Sequence, residues 1–186
     1  MAGSKREELF RLIKTFAYRY SEEEFTLSSG KKSHHYFNCK EITLIPERLQ
    51  LLAEYLVDEH IPGFHKNALD AIGGLTLGAD PICYSLSLEF LKKGRTVYPL
   101  IVRKEAKEHG TKKEIEGFLE TVKSCLAIDD VITTGGATIK AVEALRRAGI
   151  EVNSGVCILD REEGGYEALK KIGVIMYPVF KKQEFL

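Results

Sequence analysis

The chain has 186 residues, 44% of them hydrophobic and 29% charged, with 27 basic side chains against 27 acidic ones. This length fits one globular domain, and the balanced charge argues against a nucleic-acid partner. No apolar run approaches membrane-spanning length, residues 1–20 lack the apolar region of a secretory leader, and Cys39, Cys83, Cys125 and Cys157 form no C-x-x-C pair, so the expectation is a cytoplasmic protein with core thiols and no zinc or redox centre.

Residues 4–20 carry Leu9, Phe10, Leu12, Ile13 and Phe16 among charges, the spacing of an amphipathic helix. From 25 to 45 the chain turns to short β-prone pieces around Ser28-Ser29-Gly30. Pro46 opens a second helical pattern with Leu49, Leu52, Ala53, Leu56 and Val57 on one face. Residues 70–72 predict a short strand, 73–80 a glycine-bearing loop, and the stretch to about Leu91 a helix. A strand at 96–102 opens into a polar segment, 103–116, without apolar periodicity. Strand, loop and helix recur over 124–148, followed by a strand at 151–159, a helix near 165–172 and a strand near 174–180. Alternating strands and helices predict an α/β architecture, a mainly parallel sheet with helices on both faces. Such sheets bind ligands at the carboxyl ends of their strands, where segments 73–80, 103–113, 129–138 and 160–165 fall.

The stretch Cys125–Thr138 is the richest in chemistry. Four apolar residues lead to Asp129 and Asp130, then Val131 and Ile132, then Thr133-Thr134-Gly135-Gly136-Ala137-Thr138. Clustered hydroxyls and backbone N–H groups at a helix start suit a phosphate, and adjacent carboxylates suit sugar hydroxyls or a phosphate-bound metal. A helix-capping turn accounts for the Thr and Gly residues alone, but not for two adjacent acids whose repulsion calls for donors or a cation. No Walker pattern and no G-x-G-x-x-G is present here. A second segment, Arg103-Lys104-Glu105-Ala106-Lys107-Glu108-His109-Gly110, concentrates cations after a buried strand. A third, Ile158-Leu159-Asp160-Arg161-Glu162-Glu163-Gly164-Gly165, places an arginine fork at a strand end. A fourth, Phe25-Thr26-Leu27-Ser28-Ser29-Gly30-Lys31-Lys32-Ser33, precedes Tyr36 and Phe37.

Together these four segments, in this order, resemble the motifs of type I phosphoribosyltransferases, and of the orotate phosphoribosyltransferases among them. The resemblance implies the type I phosphoribosyltransferase fold as a single domain over 1–186, with a small N-terminal hood formed largely by about 1–45 and a core over about 46–186. It implies transfer of a phosphoribosyl group from phosphoribosyl pyrophosphate (PRPP) to orotate, giving orotidine 5′-monophosphate and pyrophosphate on the route to UMP. By the same resemblance Asp129 and Asp130 contact the ribose hydroxyls and take part in Mg2+ binding, directly or through water. Val131, Ile132 and Thr133–Thr138 hold the 5′-phosphate, and Thr133, Arg161, Tyr36 and Phe37 face orotate. Arg103, Lys104, Lys107 and His109 act on the pyrophosphate from a lid, 103–116, that reaches the neighbouring subunit's site in a homodimer.

The chain departs from many relatives at Ser28 and Leu77, where they carry Lys, and at His34, where they carry Pro. The missing cations leave more of the pyrophosphate charge to Lys104, Lys107 and magnesium. Two other readings compete: a phosphoribosyltransferase for a different base, and a non-catalytic PRPP-binding regulator. The Leu159-Asp160-Arg161 segment and the cationic loop argue against the first. Balanced charge and the absence of room for a DNA-binding domain argue against the second.

Overall fold

A computed structural model describes residues 3–26, 30, 32–65, 69–105 and 113–186. Its helices are α1 (Lys5–Leu12), α2 (Lys40–Thr43), α3 (Pro46–Tyr55), α4 (Asp80–Lys92), α5 (Gly136–Arg147) and α6 (Gly165–Lys171). Its strands are β1 (Tyr18–Thr26), β2 (Lys32–Phe37), β3 (Ala71–Leu75), β4 (Tyr98–Val102), β5 (Ile115–Glu116), β6 (Cys125–Ile132), β7 (Ser154–Asp160) and β8 (Ile175–Lys181). β1 and β2 form an antiparallel hairpin, and the other six strands form a sheet in the order β5-β4-β3-β6-β7-β8. Only β5 runs antiparallel to its neighbour, so the α/β class with a mainly parallel sheet holds.

The sheet has an apolar layer on each face. On one, Leu9, Ile13, Leu52, Leu56, Leu86 and Phe90 cover Ile72, Leu126, Ile128 and Ile158. On the other, Ala141, Val142, Leu145 and Leu169 cover Ala71, Leu100, Cys125, Ala127 and Cys157. Each of the larger side chains contributes about 1.5–3 kcal/mol by leaving water. Asp70 sets where β6 starts beside β3: its Oδ2 accepts the Lys123 and Ser124 N–H groups and the Ser124 hydroxyl at 3.0, 2.9 and 3.0 Å. Those bonds hold the Asp70 carboxyl below the ordinary carboxylate range.

Two expectations are corrected. The helix over 4–20 is shorter than its pattern suggests. Ser4 and Glu7 open α1 with a reciprocal capping box, the Ser4 hydroxyl accepting the Glu7 N–H and the Glu7 carboxylate accepting the Ser4 N–H. After Leu12 the backbone widens over Ile13–Ala17, where the Tyr18 N–H donates to the Ile13 carbonyl five residues back, and β1 begins. An aromatic cluster favours that exit: Tyr18 lies 5.0 Å from the Phe37 ring, and Phe10 stacks on Phe185 at 4.7 Å. Phe16 consequently leaves the buried face and is covered from outside by the Arg48 guanidinium, 3.7 Å above its ring.

The second correction concerns Gly73 and Gly74, which belong to β3 and not to the loop after it. A Cβ on Gly74 would stand 2.0 Å from the Ile128 carbonyl oxygen and 2.5 Å from Ala79. Glycine here lets backbone approach backbone, which a loop reading of the Gly-Gly pair misses. All four cysteine thiols are buried and unbonded to one another, and no described helix is long and apolar enough to cross a membrane.

Candidate active site

Strand β6 continues through both acids to Ile132. Its alternation therefore applies to them. Cys125 and Ala127 point into the layer under α5, and Leu126 and Ile128 into the opposite layer. Asp129 and Asp130, adjacent in sequence, accordingly leave the strand on opposite faces.

Asp129 is buried, and both its oxygens have donors. The Thr138 hydroxyl on α5 donates to Oδ2 at 2.5 Å, and the Asp130 N–H donates to Oδ1 at 2.9 Å. Burial, reinforced by the negative charge of Asp130, pushes the Asp129 carboxyl up to about 7 despite the Thr138 bond. Asp130 stays partly open, with Oδ1 accepting the Val131 N–H at 2.8 Å. Its carboxylate lies flat against the loop after β3, where a Cβ on Gly78 would stand 2.6 Å from Oδ1. That loop is closed by the Thr76 hydroxyl donating to Asp80 at 2.7 Å.

Beyond Ile132 the chain turns sharply into α5. Gly135 takes a left-handed φ of 82°, and its carbonyl accepts the Ile139 N–H at 2.8 Å. A Cβ on Gly135 would meet the Gly165 backbone at 3.0 Å, so the loops after β6 and β7 pack main chain on main chain. Thr133 and Ile132 carbonyls accept the Gly165 and Arg161 N–H groups at 3.1 and 2.9 Å and lock the two loops together. The result is a cavity of about 260 Å³ lined by Asp129, Val131, Ile132 and Thr133–Thr138. Hydroxyls and the free N–H groups of a twelve-residue helix converge on it, an arrangement that suits an anion.

A second cavity, about 290 Å³, adjoins the first: Val131 and Thr133 line both. Its other walls are Thr26, Tyr36 and Phe37 of the hairpin, Asn38, Cys39 and Lys40 beyond it, Asp130 of β6, and Arg161 just after β7. Tyr36 is half-buried with its ring 5.3 Å from that of Phe25. Phe37 is mostly core, packed on Tyr18 and Phe185. Arg161 is only 3% exposed, and its guanidinium donates to the Glu163 carboxylate and to the His35 carbonyl, both at 3.0 Å. Thus β2 and the end of β7 meet across this cavity.

The cationic segment begins at the end of β4. Arg103 is held to Glu116, with Nε and one Nη at 2.9 and 2.8 Å from the same carboxylate oxygen. Lys104 is exposed, and its carbonyl accepts from the Lys140 ammonium. Lys107 and His109 lie outside the described residues, as does Ser28. Leu77 projects from the loop after β3, 55% exposed. Asn38, Cys39 and Lys40 were not among the residues selected from the sequence. No motif marks them, and only the turn from β2 into α2 brings them to Asp130.

Among the described residues no three His, Cys, Asp or Glu side chains converge as a metal cage. With Asp129 already satisfied, the donor set fits a magnesium ion that arrives with a substrate's phosphates and keeps waters of its own.

The profile of the phosphoribosyl transferase domain matches residues 38–181. The orotate phosphoribosyltransferase of Leptospira biflexa serovar Patoc is 57% identical over 185 residues, covering 100% of both chains. Among solved structures, orotate phosphoribosyltransferase of Mycobacterium tuberculosis in complex with Fe(III) dicitrate aligns with a TM-score of 0.80 at 29% identity, covering 98% of this chain and 99% of that one. The same organism's enzyme in complex with 5-phospho-alpha-D-ribosyl 1-diphosphate (PRPP) aligns with a TM-score of 0.74 at 26% identity, covering 100% and 94%.

Proposed function

The chain belongs to the orotate phosphoribosyltransferases of the type I phosphoribosyltransferase family, and from that membership we propose how its residues divide the reaction among them. The protein transfers the phosphoribosyl group of PRPP to orotate, giving orotidine 5′-monophosphate and pyrophosphate in pyrimidine biosynthesis. The observation that carries the assignment of residues is the pair of adjoining cavities, one rich in N–H and hydroxyl donors, the other lined by Arg161 and Tyr36.

In this reading the loop Thr133–Thr138 anchors the 5′-phosphate away from the reacting bond, so its binding energy serves positioning. Asp130, open to the second cavity, accepts from the ribose hydroxyls. Asp129, buried between Thr138 and the Asp130 N–H, fixes the loop and, in its ionised form, which prevails above about pH 7, supplies negative charge beneath the sugar. That charge favours the positive ribose ring that develops as the C1′–oxygen bond breaks. Orotate lies between Tyr36 and Arg161, whose fork suits its carboxylate. The β1–β2 hairpin is the hood, within one domain that spans the whole chain. Arg103, Lys104, Lys107 and His109 face the pyrophosphate and exclude water when the segment after β4 closes; the expected lid of 103–116 is shortened, because Ile115 and Glu116 pair with β4 as β5 and stay in the sheet. Asp130 and Asp129, directly or through water, would hold Mg2+, which would supply positive charge to offset that of the departing pyrophosphate.

The protein is read as a cytoplasmic homodimer. Four buried free thiols suit a reducing compartment. Helix α4 leaves a stripe of large apolar side chains, Tyr84, Leu88 and Leu91, 54%, 61% and 59% exposed at i, i+4 and i+7. A second copy would cover that stripe. The direct test mixes protein, Mg2+, PRPP and orotate and follows the loss of orotate absorbance. Absence of turnover with every divalent metal tried would remove the residue assignment with the activity.

A further inference from the structure

The turn that follows β7 carries an inference that rests on the assignment of Arg161 to the base. We infer that Glu163 is a positioning residue: it sets the direction of the Arg161 fork and thereby the preference for a carboxylated base. A guanidinium carries five N–H donors in one plane. In Arg161, Nε donates to Glu163 Oε1 and one Nη to the His35 carbonyl, each at 3.0 Å, so two of the five are committed to protein acceptors. The remaining three lie on the Nη atoms, at the end of the side chain that lines the second cavity. Glu163 therefore occupies the inner edge of the fork and leaves the outer edge for a ligand carboxylate.

Arg161 and Glu163 are two residues apart, a spacing that does not meet on a helix, and β7 ends at Asp160, so no strand alternation brings them together. A built turn brings them together. Asp160 Oδ1 accepts the Glu162 N–H at 2.8 Å, Glu162 takes a left-handed φ of 58°, and its carboxylate accepts the Gln183 N–H at 3.0 Å. A non-glycine residue in that region is uncommon, and here it reverses the chain so that Glu163 returns to Arg161. The ion pair is well shielded, with side-chain exposures of 3% and 16%, so solvent screens it little. The same guanidinium holds β2 through the His35 carbonyl, which fixes the hairpin and the fork against one another.

The test measures KM for orotate and for PRPP separately, with uracil as a competing base that lacks the carboxylate. Glu163→Ala is expected to raise the orotate KM about ten-fold and to leave the PRPP KM within about two-fold, while the preference for orotate over uracil falls. Glu163→Gln, which keeps an acceptor for Nε, is expected to lie between wild type and Ala. Arg161→Gln serves as the control for the assignment itself. If Arg161→Gln raises the orotate KM and Glu163→Ala does not, the positioning role is wrong and the base assignment stands. If both substrates' KM values rise together as the melting temperature drops, Glu163 is merely structural and the inference fails. If Arg161→Gln leaves the orotate KM unchanged, the base assignment falls and takes the inference with it.

Discussion

Asp129 shows how one side chain can trade stability for chemistry. Its carboxyl titrates near 7 in the folded chain because it is buried beside Asp130, whereas an unfolded aspartate titrates near 4. The native state thus holds a proton that the unfolded chain gives up. The stability this contributes is complete below about pH 4 and is lost as pH rises through about 7. Asp129→Asn removes the titration while keeping one acceptor for the Asp130 N–H. Urea unfolding of the ligand-free protein should find the variant more stable than wild type at pH 8, by on the order of 1–3 kcal/mol, with a smaller difference at pH 5. Its kcat/KM should fall by at least about a hundred-fold. Equal stabilities at pH 8 would show that the buried charge costs the fold nothing.

At the scale of elements, the site is made by loops that touch main chain to main chain. Gly135 is required twice, by its φ of 82° and by the Gly165 backbone at 3.0 Å from where a Cβ would stand. Gly135→Ala should cost about 1–2 kcal/mol in stability and raise the PRPP KM more than the orotate KM, since the first cavity lies on that turn. An unchanged PRPP KM would detach this loop from the phosphate. The segment after β4 makes a contrasting case, because the role proposed for its cations is in turnover and not in fold stability. Replacing Lys104 and Lys107 together by Ala should lower kcat at least about a hundred-fold and move Tm by no more than about 2 °C. Turnover that survives both changes would sink the lid assignment.

For the whole molecule, sheet order does the assembling. β6 lies between β3 and β7, so the loops after three neighbouring strands meet at one edge: 76–79 against Asp130, 133–135 against Gly165, and Arg161 against the hairpin. The exposed stripe on α4 belongs to this scale as well. Leu88→Lys places a charge at its centre and should shift sedimentation towards the monomer at micromolar concentration. A variant that sediments with wild type would move the subunit interface elsewhere.

Much of this was legible in the residues before any coordinates. Strand and helix periodicity located the alternating elements, and the order of acids, hydroxyls and glycines in Cys125–Thr138 marked a phosphate-and-sugar cradle. Those signals are local, fixed by side-chain spacing and by the glycine a turn demands. Four other features depended on the tertiary structure. The acids separate onto opposite faces because β6 continues through both of them to Ile132. Gly73 and Gly74 lie inside a strand because β6 and Ala79 press against them. α1 gives way to β1 because an aromatic cluster contributed by the far end of the chain draws Tyr18 out of the helix. Asn38, Cys39 and Lys40 reach the site through the turn from β2 into α2 and the docking of the hairpin on Arg161. The sequence by itself determined which chemistry is present, since residue type and spacing carry it. Only the tertiary structure decided which groups share a cavity and in which protonation state they meet, because burial and long-range contacts are properties of the packed chain.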